Sequence, residues 1–149
     1  MNFANYTLTT ILAFTVATAG VAVPPPANFN PDEILTAIRK VETGGCKDPS
    51  NAVGDGGKAI GPLQIHYSYW KDAVEFDPSI GGKYSDCKSE AYARKIVIAY
   101  WTRYAPNWSF ETLSRVHNGG CAIYRKKGSS AWNRTTEYWN KVRKNLSSE

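Results

Sequence analysis

Apolar residues recur along this chain at two different spacings, and the changes between them mark out its elements. Ile34, Leu35, Ile38 and Val41 fall on one face of a helix. Asn30-Pro31-Asp32-Glu33 supplies its start: Asn can cap, Pro is favoured at the first position, and Glu33 stands where a capping box wants its acid. The helix stops at Gly44-Gly45, which puts Glu42 in its last turn. From Asn51 to Ile65 the pattern shortens to Ala52-Val53 and Ala59-Ile60 among Gly54, Gly56, Gly57 and Gly61, which predicts a small hairpin with Asp55 at or beside its tip.

Helical spacing then returns. Tyr67 to Val74 predicts a short helix that packs Tyr69 and Trp70 inward. Ser89 to Tyr104 predicts a long central helix, with Ala93, Ile96, Val97, Tyr100 and Trp101 buried and Arg94, Lys95 and Arg103 outside. Ser109 can cap a short helix carrying Phe110, Leu113 and Val116, stopped at His117-Asn118-Gly119-Gly120. A last helix is expected from about Arg134 to Asn145, turning Tyr138, Trp139 and Val142 inward. The sum is a mainly helical α+β domain with one small antiparallel sheet, and no internal repeat interrupts it.

The N-terminal stretch follows different rules. The first 22 residues hold no Asp, Glu, Lys or Arg, and Leu8 to Val23 is mostly apolar or small, with Ala17-Thr18-Ala19 and Gly20-Val21-Ala22 as cleavage candidates. Residues 1–22 therefore read as a secretory signal peptide, although the usual basic residue is missing and Thr9, Thr10, Thr15 and Thr18 interrupt the apolar run. That interruption argues against a membrane anchor, which needs about 20 uninterrupted apolar residues. Pro-rich residues 23–30 read as a stiff linker or an arm on the domain, and residues 31–146 as one domain large enough for a genuine core.

All 18 basic and 13 acidic residues lie beyond residue 31, so the net charge of +5 belongs to that domain. Such a balance suits an anionic polymer or surface, and by itself does not separate a bacterial wall from nucleic acid or heparin. Cys46, Cys87 and Cys121 allow at most one internal disulfide, and sequence does not choose among three pairings. No Cys-x-x-Cys occurs and His66 and His117 are not spaced as a ligand pair, so neither a metal site nor a cofactor is expected. Asn107, Asn133 and Asn145 each begin a glycosylation acceptor pattern.

Glu42 and Asp55 are the candidate chemistry. Glycoside hydrolysis commonly uses two carboxyl groups, one protonated to donate to the leaving oxygen and one ionised to attack or stabilise the sugar cation. Glu42, at the end of a helix with an apolar face, is placed to be partly desolvated and so held protonated, whereas Asp55 among glycine amides should stay ionised. The plain structural readings are a solvated glutamate at a helix end and an aspartate chosen for turn geometry.

Val41-Glu42-Thr43-Gly44-Gly45, the turn holding Asp55, Gly61-Pro62-Leu63-Gln64-Ile65, Tyr69-Trp70, His117-Asn118-Gly119-Gly120 and Tyr138-Trp139 occur in the order seen in invertebrate-type (destabilase-type) lysozymes. The resemblance spans about Ile34 to Val142. It implies a lysozyme-like fold and cleavage of the β-1,4 link between N-acetylmuramic acid and N-acetylglucosamine, in a secreted protein whose partner is bacterial peptidoglycan and not nucleic acid. By position Glu42 matches the family's acid and Asp55 its nucleophile, with Gln64, Tyr69, His117 and Asn118 as substrate-binding candidates. Ser68 and His117 are the nearest candidates for the isopeptidase activity credited to some relatives.

The chain departs from that pattern in three places. It has three cysteines where the family is rich in disulfides, its Asp55 turn needs a gap to align, and Cys121 stands where a proline is common. Two other readings stay open: a lytic transglycosylase, which needs one acid only, and a catalytically silent cationic or peptidoglycan-binding protein.

Overall fold

A computed structural model of the chain describes residues 22–146, so the expected signal peptide lies outside the described residues apart from Ala22. Within them the elements run α1 (Asp32–Thr43), β1 (Val53–Gly54), β2 (Ala59–Ile60), β3 (Ile65–His66), α2 (Tyr67–Phe76), α3 (Glu90–Tyr104), α4 (Phe110–Gly119) and α5 (Ser130–Arg143), joined by short 3-10 turns. The fold is a helical α+β arrangement with a three-stranded antiparallel sheet in the order β1-β2-β3.

The helix starts follow local chemistry. The Asn30 carboxamide oxygen accepts from the Asp32 amide at 2.9 Å, opening α1 from just ahead of Pro31. Ser109 caps α4 by accepting from the Thr112 amide. The last helix begins earlier than its apolar spacing predicts, at Ser130 instead of about Arg134, because Ser129 caps it through the Trp132 amide. Ala93, Ile96, Val97, Tyr100 and Trp101 of α3 are all buried, and Trp101 is the largest fully buried side chain.

Pairs of helices are then locked by specific contacts. Arg115 on α4 is nearly buried, yet it is fully engaged. Its guanidinium meets Glu111 at 2.7 Å, bonds the Thr135 and Thr136 hydroxyls at 3.0 and 2.9 Å, and lies 4.2 Å from the Trp132 ring. A charge taken from water is tolerated only when paired in this way, and the pairing fixes α4 against α5. The segment before α1 lies on the domain: the Trp108 indole donates to the Val23 carbonyl at 2.8 Å, and the Phe29 ring meets that indole edge-on at 5.0 Å.

The sheet is built of strands of two residues each, too short to stand alone. Its third strand, Ile65–His66, extends the predicted hairpin. Buried Ala59, Leu63 and Ile65 seat it on the core, and the Tyr84 hydroxyl ties it from outside by donating to the carbonyls of Lys58 and Ile65 at 3.0 and 2.8 Å. Thr43 at the end of α1 donates to the Pro62 carbonyl at 2.9 Å, joining helix to sheet.

The three cysteines form no disulfide: Cys46 and Cys121 are exposed thiols and Cys87 is buried, where desolvation pushes its thiol up to about 12. The Cys87 carbonyl closes over Gly61, which sits at φ +75°, so a Cβ there would collide with backbone. A Gly61→Ala variant is expected to lose about 2 kcal/mol or more of stability, combining left-handed strain with that collision, as measured by urea unfolding at constant slope.

Candidate active site

The end of α1 carries Glu42, and the helix's apolar face draws its carboxyl inward until the side chain is only 20% exposed. Tyr138, reaching from α5, donates its hydroxyl to Glu42 Oε1 at 2.6 Å. Burial raises the Glu42 carboxyl above its ordinary range, and this outweighs the Tyr138 hydrogen bond and the Lys141 charge, which both pull it down. The Tyr138 phenol is itself raised well above its usual value by burial and by the neighbouring carboxyl, so it remains a donor.

His117, in the last turn of α4, places Nε2 3.7 Å from the same Glu42 oxygen. Burial lowers the imidazole to about 4, opposed by a hydrogen bond with Leu63 backbone and aided by the nearby His66. Above that value His117 is neutral, so its contact with Glu42 is a polar one and not an ion pair. The Tyr69 hydroxyl lies 3.5 Å from His117 Nδ1. Tyr69 is buried and stacked on Tyr100, with ring centroids 3.6 Å apart, and it backs His117 without itself lining the cleft.

Asp55 comes from the turn directly after β1, and two backbone features aim that turn. Asp55 and Gln64 both hold φ +49°, a left-handed conformation that non-glycine residues seldom adopt outside constrained sites. Gln64 is held by donating to the Gly61 carbonyl at 2.9 Å while its carboxamide oxygen lies over Gly54, where any Cβ would block it. The Asp55 carboxyl is 66% exposed and stands 3.4 Å from His66 Nε2. Pairing of His66 with Ala59 across β2 and β3 sets that imidazole beside the turn.

Glu42, Asp55, Gln64, His117 and Asn118 thus line one cleft of about 320 Å3, together with Ala59 and His66. Both carboxyls line it, and each has a histidine next to it. Ser68 opens into a neighbouring pocket with His66 and not into the cleft with His117, so that pair is not brought together. A larger hollow of about 420 Å3 beside α2 and α3 contains none of these residues. Among the described residues no group of three His, Cys, Asp or Glu could hold a metal.

Two participants are absent from the sequence-based candidates. Tyr138 reads there only as an inward-facing core residue, and its spacing gives no sign that its hydroxyl meets Glu42. His66 carries no motif, and its place beside Asp55 depends on strand register.

No protein-family model matches the chain. An invertebrate-type lysozyme from Ruditapes philippinarum is 29% identical over 133 residues, 83% of this chain and 90% of that protein. The crystal structure of Tapes japonica lysozyme matches with a TM-score of 0.57 and 31% sequence identity, covering 75% of this chain and 87% of that one. The chain belongs to the invertebrate-type lysozymes. Within that family its cleft combines a buried acid, an exposed second carboxyl and a neutral histidine.

Because unfolded His117 takes up a proton near pH 6.5 and the folded one only near 4, its burial contributes stability that is present above pH 6.5 and lost as pH falls through 4. The contribution is roughly 3 kcal/mol. Glu42 acts in the opposite direction, losing stability as pH rises through its raised value. Denaturant unfolding between pH 4 and 7 is expected to show a shallower acid loss in His117→Gln than in the unaltered protein; identical slopes would contradict the buried neutral imidazole.

Proposed function

We propose that this protein is a secreted lysozyme that hydrolyses the β-1,4 bond between N-acetylmuramic acid and N-acetylglucosamine of peptidoglycan, serving antibacterial defence or digestion. The observation that carries the reading is Glu42: a carboxyl that burial raises above its ordinary value, facing a cleft that it shares with Asp55. Because Oε1 accepts from Tyr138, the neutral carboxyl carries its proton on Oε2, ready for the leaving oxygen.

Asp55 is the nucleophile in this mechanism. Its carboxylate attacks the anomeric carbon as Glu42 protonates the departing sugar, giving a glycosyl-enzyme with inverted configuration. Glu42, now ionised, takes a proton from water, and the water displaces Asp55, restoring the original configuration. Tyr138 assists here, since a hydrogen bond to the ionised carboxylate stabilises the state that must form between the two half-reactions. His117 supports the acid without competing for its proton, being neutral down to about pH 4. Gln64 and Asn118 at the cleft wall are placed to bond acetamido groups.

A second carboxyl on the same cleft favours hydrolysis over the transglycosylase reading. A silent binding protein would have no use for a desolvated acid, which costs stability near neutral pH. The net charge of +5 supports attraction to an anionic wall. Secretion rests on the uncharged residues 1–22, and no described helix is long and apolar enough to cross a membrane.

A cell-wall turbidity assay tests the proposal. Glu42→Gln and Asp55→Asn should each slow clearing by about 100-fold or more, and the unaltered protein should release reducing ends of retained configuration. Clearing by both variants at the unaltered rate, or anhydromuramic ends, would refute it.

A further inference from the structure

The catalytic cleft is continued past His66. That imidazole also lines a second pocket, of about 300 Å3, with Gly57, Lys58, Tyr67, Ser68 and Tyr84. A glycan lying in the first cavity therefore has side groups within reach of the second.

One wall of the pocket is anchored, and its lining residues include a cation, Lys58, and no Asp or Glu. Tyr84 is anchored through its two carbonyl hydrogen bonds, and its ring meets Tyr67 edge-on at 5.5 Å. Tyr67 also packs on Trp70 at 5.5 Å, yet it is 57% exposed, leaving an aromatic face open to solvent beside the cleft. No carboxyl lines this pocket, and Asp55 lies in the catalytic cleft. Lys58 is exposed and its ammonium makes no ion pair among the described residues. The lining thus offers an uncommitted cation, the hydroxyls of Tyr67 and Ser68, and an aromatic surface.

We propose that this pocket receives a carboxylate borne by the glycan, either on the muramoyl unit itself or on its attached peptide. Lys58 supplies the charge, the Tyr67 and Ser68 hydroxyls donate hydrogen bonds, and the Tyr67 ring covers the apolar part of the side group. The inference rests on the hydrolase reading for the path of the glycan and adds what that reading lacks, a reason to prefer cell wall over an uncharged polymer such as chitin.

The test compares the unaltered protein with Lys58→Glu on three substrates: intact peptidoglycan, peptidoglycan whose carboxyls have been converted to amides, and glycan stripped of peptide by an amidase so that free lactyl carboxylates remain. Amidation should lower kcat/KM of the unaltered protein about tenfold and leave that of Lys58→Glu nearly constant. Stripped glycan cut as well as intact wall shows that the lactyl carboxylate, freed by the amidase, also fills the pocket, and stripped glycan cut as poorly as the amidated form assigns the peptide carboxylate alone. Equal sensitivity to amidation in both proteins would overturn the proposal.

Titration of Glu42→Gln protein with N-acetylmuramic acid, whose lactyl carboxylate is free, and with muramyl dipeptide, whose carboxylate is on the peptide, separates this idea from the hydrolase reading, since it requires no bond cleavage. Adding Lys58→Glu should weaken the dissociation constant about tenfold, and Lys58→Gln by less. Unchanged binding of both ligands sinks the carboxylate pocket, whereas binding as expected with no cleavage of any substrate sinks the hydrolase reading alone.

Discussion

The hydrogen bond from Tyr138 to Glu42 joins the first helix to the last across 96 residues of sequence, and the site depends on it more than on any other contact. It is made inside a partly dry environment, where two opposing demands meet. Burial favours the neutral carboxyl that can give up a proton; the tyrosine favours the ionised carboxyl left behind. Burial outweighs the tyrosine, so the carboxyl holds its proton to higher pH than an exposed glutamate, and the tyrosine narrows the difference.

Several structural features serve that balance. Thr43 ties the end of α1 to Pro62, which keeps the glutamate at the edge of the sheet instead of in open water. His117 lies between Glu42 and the Tyr69-Tyr100 stack, so on that side the acid is backed by rings. Arg115 holds α4 to α5 through buried polar contacts, and this fixes His117 and Tyr138 relative to each other. The second carboxyl of the cleft is held differently. Asp55 sits in a left-handed turn on strands of two residues, exposed and positioned by backbone conformation more than by packing.

That contrast explains which parts could be read from sequence. Elements with a repeating apolar face were legible: α1 with Glu42 in its final turn, the buried face of α3, and α4 with its Ser109 cap. The start of α5 was hidden because its first turn lacks the apolar spacing and is set by the Ser129 cap. Strand β3 is too short to show an alternation, so the place of His66 beside Asp55 followed only from the pairing with Ala59. Tyr69 and Tyr138 illustrate the limit of pattern. Spacing turns both inward, but it cannot say which inward tyrosine meets the carboxyl, and the one expected to touch substrate is packed behind the histidine.

The same contrast bears on how the domain stands without crosslinks. With three free thiols, the described chain relies on aromatic packing, on helix caps and on the buried arginine cluster. The central claim is electrostatic: burial raises the Glu42 carboxyl above its ordinary value against the pull of Tyr138. Carbon-13 NMR titration of the Glu42 carboxyl measures this directly. A midpoint above that of an exposed glutamate, moving higher still in Tyr138→Phe, is the predicted result; a midpoint at or below the exposed value would contradict the account.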